Sequence, residues 1–145
     1  MTYATEALGL TDSTSFLLLD LRDPEEYDFW RIKESLNYPA VNIGRDKIIP
    51  ELYRFKNKAN KLIIIYMSDE RKGTAAATLM TEKGYENVFL LSGGIDQFNE
   101  EFHHMVEGRD VPKPKSMIKQ EEEKRKMEKS AAIKMRSQQK KMDKF

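Results

Sequence analysis

The stretch that decides the fold is Leu62-Ile63-Ile64-Ile65-Tyr66-Met67-Ser68-Asp69-Glu70-Arg71-Lys72-Gly73-Thr74-Ala75-Ala76-Ala77-Thr78-Leu79-Met80-Thr81-Glu82-Lys83-Gly84. Residues 62–67 form a continuous apolar run rather than an alternating one, the pattern of a strand covered on both faces. Residues 73–83 are rich in alanine, leucine and methionine and predict a helix, with Gly84 as its C-terminal cap. Asn87-Val88-Phe89-Leu90-Leu91 reads as the next strand, followed by a Gly93-Gly94 turn. Strand, helix and strand at this spacing make a right-handed crossover, so the body is α/β with a mainly parallel sheet and helices on both faces. Upstream, Phe16-Leu17-Leu18-Leu19-Asp20-Leu21 repeats the buried-strand pattern. Pro24-Glu25-Glu26-Tyr27 then opens a helix with proline at its favoured early position.

Composition bounds what such a body can do. The 145 residues carry a formal net charge of +1, with 39% hydrophobic and 34% charged residues. That length supports one domain of ordinary size. The neutrality is a cancellation: residues 1–112 hold 13 Lys+Arg against 19 Asp+Glu, and residues 113–145 hold 12 against 5. An acidic body is therefore joined to a basic tail. All seven glycines and all five prolines lie at or before Pro114. The Val111-Pro112-Lys113-Pro114 segment interrupts the backbone donors and favours an extended link. The expected division is a body over 1–111 and a basic helical extension over 112–145, with the helix itself over about 115–145 by this proline boundary.

The sequence has no cysteine, which excludes disulfides, thiolate-bound zinc and a cysteine nucleophile in this chain. The run 62–67 is far short of the ~20 residues that cross a bilayer. The first ten residues lack a basic segment ahead of an apolar one and do not read as a signal peptide. An intracellular, soluble protein is expected, with no cofactor.

In a parallel sheet of this kind, chemistry sits beyond the carboxyl ends of the strands. That edge carries Asp20, Arg22 and Asp23 after the first strand and Met67-Ser68-Asp69-Glu70-Arg71-Lys72 after the second. Amides at the start of the following helix, with Arg71 and Lys72, could hold phosphate or a phosphopeptide. Asp69 and Glu70 oppose this, because their charges already favourably face the helix dipole. Asp20, Asp23 and Asp69 could instead hold Mg²⁺ or supply an aspartyl nucleophile. No phosphate-cradling glycine loop accompanies them, so structural polar contacts at the strand ends are the preferred reading. His103 and His104 are adjacent and would diverge on a helix, which makes them poor joint metal ligands and expected surface residues.

The ordered set of these features resembles the rhodanese domain over residues 14–105. The family pattern of a strand ending Asp-x-Arg before a helix start reads here Asp20-Leu21-Arg22-Asp23-Pro24-Glu25-Glu26-Tyr27. Its usual His-Ile-Pro-Gly-Ala segment is reduced to Ile32 and the later Pro39. The apolar strand, loop, small-residue helix, Gly84-Tyr85 and Leu91-Ser92-Gly93-Gly94 follow in order. Rhodanese sulfurtransferases and their phosphatase relatives use a cysteine at the start of the loop. Met67, or Tyr66 by a second alignment, takes that place. A thioether has no ionisable proton and an ordinary phenol titrates near ~10, so neither replaces a thiolate. Ser68 is adjacent, with no histidine nearby in sequence to activate it. Ile63-Ile64-Ile65, Asp69-Glu70-Arg71 and Gly84-Tyr85-Glu86-Asn87 are also similar to cysteine-free rhodanese domains of the centrosomal and ciliary type linked to tubulin glutamylation. That resemblance implies a non-catalytic role around microtubules, in the cytoskeleton at a cilium, flagellar axoneme or centrosome.

Along the tail, Met127, Ala131, Met135, Gln138, Met142 and Phe145 recur every three or four residues and draw a narrow apolar seam among lysines. Lys124, Arg125, Lys126, Arg136, Lys140 and Lys141 flank it. A lone helix of this kind is marginal in water, so the seam predicts a partner. The partner expected is an acidic protein surface such as tubulin or another axonemal protein, which suits the basic balance. A calmodulin-like protein would also accept such a helix. With Phe145 its one aromatic, the tail lacks the interleaved rings of a nucleic-acid binder, and no membrane is expected.

Overall fold

A computed structural model describes residues 14–142. The chain divides into two compact units, one ending at Pro112 and the other beginning at Lys113.

The first unit is built on β1 (Ser15–Asp20) and β4 (Lys61–Tyr66), paired in parallel from Ser15↔Lys61 to Asp20↔Tyr66. Between them the chain forms α1 (Pro24–Phe29), β2 (Arg31–Ile32), β3 (Leu36–Asn37), α2 (Val41–Gly44) and α3 (Pro50–Phe55). After β4 come α4 (Glu70–Glu82), β5 (Val88–Leu90), α5 (Gly94–Glu101), a 3₁₀ turn (His103–Met105) and β6 (Val106–Glu107). The four-stranded sheet runs β3-β1-β4-β5 with every pair parallel, and β2 and β6 form a separate antiparallel ribbon.

β4 is buried on both sides, as its unbroken apolar run requires. Ile63 and Ile65 point into one core with Leu19, Leu21, Tyr38, Ile43, Leu52, Ala76, Met80 and Tyr85. Ile64 and Tyr66 point into the other with Leu18, Ile32, Ile95, Phe98, Met105 and Val106. The first core therefore lies beneath α2, α3 and α4, and the second beneath α5 and the β2-β6 ribbon. The expected α/β, rhodanese-like architecture with helices on both faces is what forms.

Three boundaries differ from the sequence reading. β1 and β4 each begin and end one residue earlier than the apolar runs, because Asp20 and Tyr66 still pair while Leu21 and Met67 do not. The helix after β4 begins at Glu70 rather than Gly73. Asp69 caps it by accepting from the Lys72 amide at 2.9 Å, and Gly73 sits inside the first turn. A Cβ on Gly73 would lie 2.5 Å from Leu90 Cδ1, so glycine here marks the close approach of α4 to β5 rather than a helix start. The short β2-β6 ribbon had no signal in the sequence.

The second unit is α6 (Lys115–Met142), 28 residues and about 42 Å long at ~1.5 Å per residue. None of its residues is buried. Its start is tied by Ile118 N donating to Pro114 O and by an ion pair of Lys113 with Glu121 at 3.0 Å. The seam residue Phe145 lies outside the described residues.

Tyr38 provides a pH readout of the first core. Its hydroxyl donates to the Lys47 carbonyl, and burial, aided by Tyr85 and Asp46, pushes its pKa up to about 12. A phenol raised in the folded state contributes stability that is complete below ~10 and disappears as pH rises through about 12. Melting of the native chain and of Tyr38→Phe between pH 9 and 12 is expected to converge. The native advantage should shrink by up to about 1.4 kcal/mol per pH unit.

Candidate functional site

The carboxyl ends of β1 and β4 meet at Asp20 and Tyr66, where the sequence reading placed its candidate groups. Asp20 is fully buried and Arg22 is 3% exposed. Arg22 folds back on Asp20 through its backbone amide (2.9 Å to Oδ1), Nε (3.1 Å to Oδ1) and Nη2 (2.8 Å to Oδ2). Nη2 also donates to the Trp30 carbonyl, and the guanidinium lies 5.4 Å from the Trp30 ring centre. Burial lowers the Arg22 pKa. The hydrogen bond and charge of Asp20 outweigh it, so the group sits above its already high ordinary value. This Asp-x-Arg pair is closed on itself: both carboxylate oxygens are engaged by Arg22. It locks the β1 exit to the turn after α1 and offers no free carboxylate.

Tyr66 is fully buried in the second core. Its hydroxyl donates to Ser35 Oγ (3.0 Å) and accepts from the Ile32 amide (3.2 Å). Burial, then the charge of Asp20, hold its pKa well above the usual phenol value. Tyr66 is therefore a structural strut inside β4, and of the two alternatives for the cysteine position, Met67, the first residue beyond the strand, heads the loop. Met67 packs against the first core.

The loop is short, only Met67, Ser68 and Asp69 before α4, and the carbonyls of Met67 and Ser68 and the side chains of Ser68 and Asp69 are engaged. Met67 O accepts from the Ile95 amide at 2.9 Å, and Ser68 O from the Asp96 amide at 3.2 Å. Those bonds seat the start of α5 directly on the loop. Gly94 makes this possible: at φ +67° its missing Cβ would lie 2.7 Å from both the Met67 and Ser68 carbonyl oxygens. The hydroxyls are also engaged, Ser68 Oγ with Glu26 Oε2 at 3.4 Å and Ser92 Oγ with Glu70 Oε1 at 3.1 Å.

One amide of the anion cradle expected at this helix start is taken from within. Asp69 presents its own carboxylate to the Lys72 amide, which is what a bound phosphate would otherwise do. Arg71 and Lys72 lie in the first turn of α4 and are exposed. Asp96 adds further negative charge. Burial holds its carboxyl above the usual range; Arg22 pulls it down, Asp69 pushes it up and Lys72 pulls it down again. The carboxylates proposed for a metal enzyme do not assemble either. Asp20 is committed to Arg22, Asp69 caps α4, and no three His, Cys, Asp or Glu side chains among the described residues come together to hold a metal ion.

The histidines need a correction. His103 is half-buried in the 3₁₀ turn, with Nδ1 2.8 Å from Asn99 Oδ1, while Asn99 Nδ2 donates to Pro112 O. It closes the end of the first unit rather than decorating the surface; His104 is exposed. On α6, Lys124, Arg125, Lys126, Met127, Met135, Arg136, Lys140, Lys141 and Met142 are all exposed, with Met127, Met135 and Met142 each about 70% accessible. No helix among the described residues is long and apolar enough to cross a membrane.

If the Asp20–Arg22 pair is structural, Asp20→Asn leaves a buried guanidinium without its counter-charge and costs ~3–5 kcal/mol in urea unfolding. A free carboxylate serving a metal or substrate would tolerate the same change with little loss of stability.

Known proteins share this construction. The chain is 42% identical over 89 residues to centrosomal protein of 41 kDa from Xenopus tropicalis, covering 60% of this chain and 24% of that one. It is 39% identical over 99 residues to the Danio rerio protein of the same name, covering 67% and 26%. The chain thus spans about a quarter of the length of these relatives. Among solved structures, the Alr3790 protein from Anabaena superposes with a TM-score of 0.54 at 20% identity, covering 72% of this chain and 75% of that one. The BH2092 protein from Bacillus halodurans gives 0.52 at 25%, covering 73% and 71%. The family model for the rhodanese-like domain matches residues 3–101, and with the Asp-x-Arg lock, the loop beyond β4 and the Gly-Gly docking of α5 all in place, this chain belongs to the rhodanese-like domain family.

Proposed function

We propose that this chain is a non-catalytic rhodanese-like module that holds a partner rather than transforming a substrate. The observation that carries the reading is the state of the loop beyond β4. Met67 stands where a thiolate would be needed, and the Lys72 amide at the helix start is filled by Asp69. The loop thus lacks a thiolate, has one helix-start amide taken by Asp69, and has Asp20 committed to Arg22 rather than to a metal.

The working place is the centrosome or a related microtubule-based structure, such as a ciliary axoneme. The support for this is the name and the identity of the relatives, together with the basic α6. Docking goes through α6, with Met127, Met135, Met142 and Phe145 as the apolar seam and Lys124, Arg125, Lys126, Arg136, Lys140 and Lys141 around it. Tubulin or another acidic cytoskeletal protein is the partner. Attraction of this type steers association and weakens with salt. Residues 1–111 act as the folded body and 112–145 as its basic extension.

Two experiments test the two halves of this reading. Met67→Cys places a thiol at the loop head. It is expected to give no sulfur transfer from thiosulfate to cyanide above background and a thiol titrating at ~8.5 or higher, since the carboxylates of Asp69 and Glu70 follow two and three residues later and disfavour a thiolate. Turnover by the native chain would overturn the non-catalytic assignment. For the partner, removing residues 113–145 should abolish microtubule co-sedimentation, or weaken it by about tenfold or more, with the far-ultraviolet spectrum of the body unchanged. Equal sedimentation of both forms refutes the role of α6.

A further inference from the structure

Among the described residues, the acidic body carries a basic segment whose lysines form no ion pair. From Leu52 to Ser68 there is no Asp or Glu, and Arg54, Lys56, Lys58 and Lys61 fall within eight residues. This segment runs from the end of α3 to the start of β4. It lies at the amino ends of the strands, where Ser15 N donates to Asn60 O, on the opposite edge of the sheet from the loop at Met67.

Its three lysines are each laid on an aromatic ring. Lys56 Nζ is 4.3 Å from the Tyr85 ring centre, Lys61 Nζ 4.8 Å from Phe55 and Lys58 Nζ 5.9 Å from Tyr53. None of the three forms an ion pair among the described residues; Arg54 reaches only Glu51, at 4.0 Å. A ring face positions an ammonium group without using up its N–H donors, so these charges are held in place and remain able to bond a carboxylate. Tyr53 itself is 72% exposed.

The backbone beneath them is fixed by asparagines. Asn87 Nδ2 donates to both Phe55 O and Lys61 O at 2.7 Å, closing the two ends of the segment with one side chain. Asn57 donates through its amide to Asn87 Oδ1 (2.9 Å) and through Nδ2 to Gly84 O (2.9 Å), and accepts from the Glu86 amide (2.7 Å). Asn57 and Asn60 both adopt left-handed backbone, at φ 56° and 58°, a conformation asparagine tolerates better than most residues. The loop is thus preorganised, which removes much of the ordering cost of binding.

We propose that the segment 53–61 is a docking surface for an acidic peptide, an extended run of glutamates or aspartates that bonds Lys56, Lys58 and Lys61 and lies against Tyr53. It is separate from α6 and shares with the α6 reading only the sign of the partner's charge. Carboxylates are favoured over nucleic acid because the body around the loop is net acidic and would repel a long polyanionic duplex, whereas a short peptide can meet the three lysines alone.

The test titrates an octaglutamate peptide into the ¹⁵N-labelled full chain at low salt. Amide shifts are expected at 53–61 and 84–87. Lys56→Gln, Lys58→Gln and Lys61→Gln together should weaken these shifts about tenfold or more, and the three Lys→Arg changes should retain them. Shifts confined to 113–145, or shifts at 53–61 unaffected by the glutamine changes, overturn this proposal while leaving the α6 reading standing. Shifts at 53–61 with a silent α6 do the reverse. Binding of octathymidylate at the same loop as tightly as the peptide also overturns it, in favour of nucleic acid.

Discussion

Everything in the folded body depends on β4 being buried on both faces. A strand with Ile63 and Ile65 in one core and Ile64 and Tyr66 in the other cannot slip by one residue without exchanging the two cores. Its register with β1, fixed over six residue pairs, brings Asp20 level with Tyr66 and sets where the chain leaves the sheet. The loop at Met67, the start of α4 and the seat for α5 all follow from that exit point. The two isoleucine faces are worth several kcal/mol each in core burial.

Given that frame, the polar edge has turned inward. In a working anion or thiolate site, amides at a helix start are left open and cations are aimed at the reacting atom. Here Asp69 fills the Lys72 amide, Arg22 is held by Asp20 and Trp30, and Ser68 and Ser92 engage Glu26 and Glu70. The close approach of Gly94 to the Met67 and Ser68 carbonyls packs the start of α5 onto the sheet edge.

Charge is distributed in the opposite sense. Accessible cations remain in both units: Arg71 and Lys72 at the start of α4 and the ring-held lysines of 53–61 at the opposite edge of the sheet in the first, and Lys124, Lys126, Lys140 and Lys141 on α6 in the second. Surface ammonium groups contribute little to folding, with exposed pairs worth at most ~1 kcal/mol. Their placement is free to answer to a partner instead.

The sequence by itself determined the α/β class, the two doubly covered strands, the helix after β4, the Gly93-Gly94 turn and the absence of a thiol. These are local matters: unbroken apolar runs, helix-forming composition and one missing residue type can be read without knowing what packs where. It also started α4 three residues late, placed His103 on the surface and gave no hint of the β2-β6 ribbon. Only the tertiary structure decided those, because each turns on a contact between segments distant in sequence. Leu90 against Gly73, Ser35 and Ile32 on the Tyr66 hydroxyl, and Asn87 bridging Phe55 to Lys61 leave no trace in local pattern. An asparagine or a glycine looks like an ordinary turn residue until the chain it meets is known.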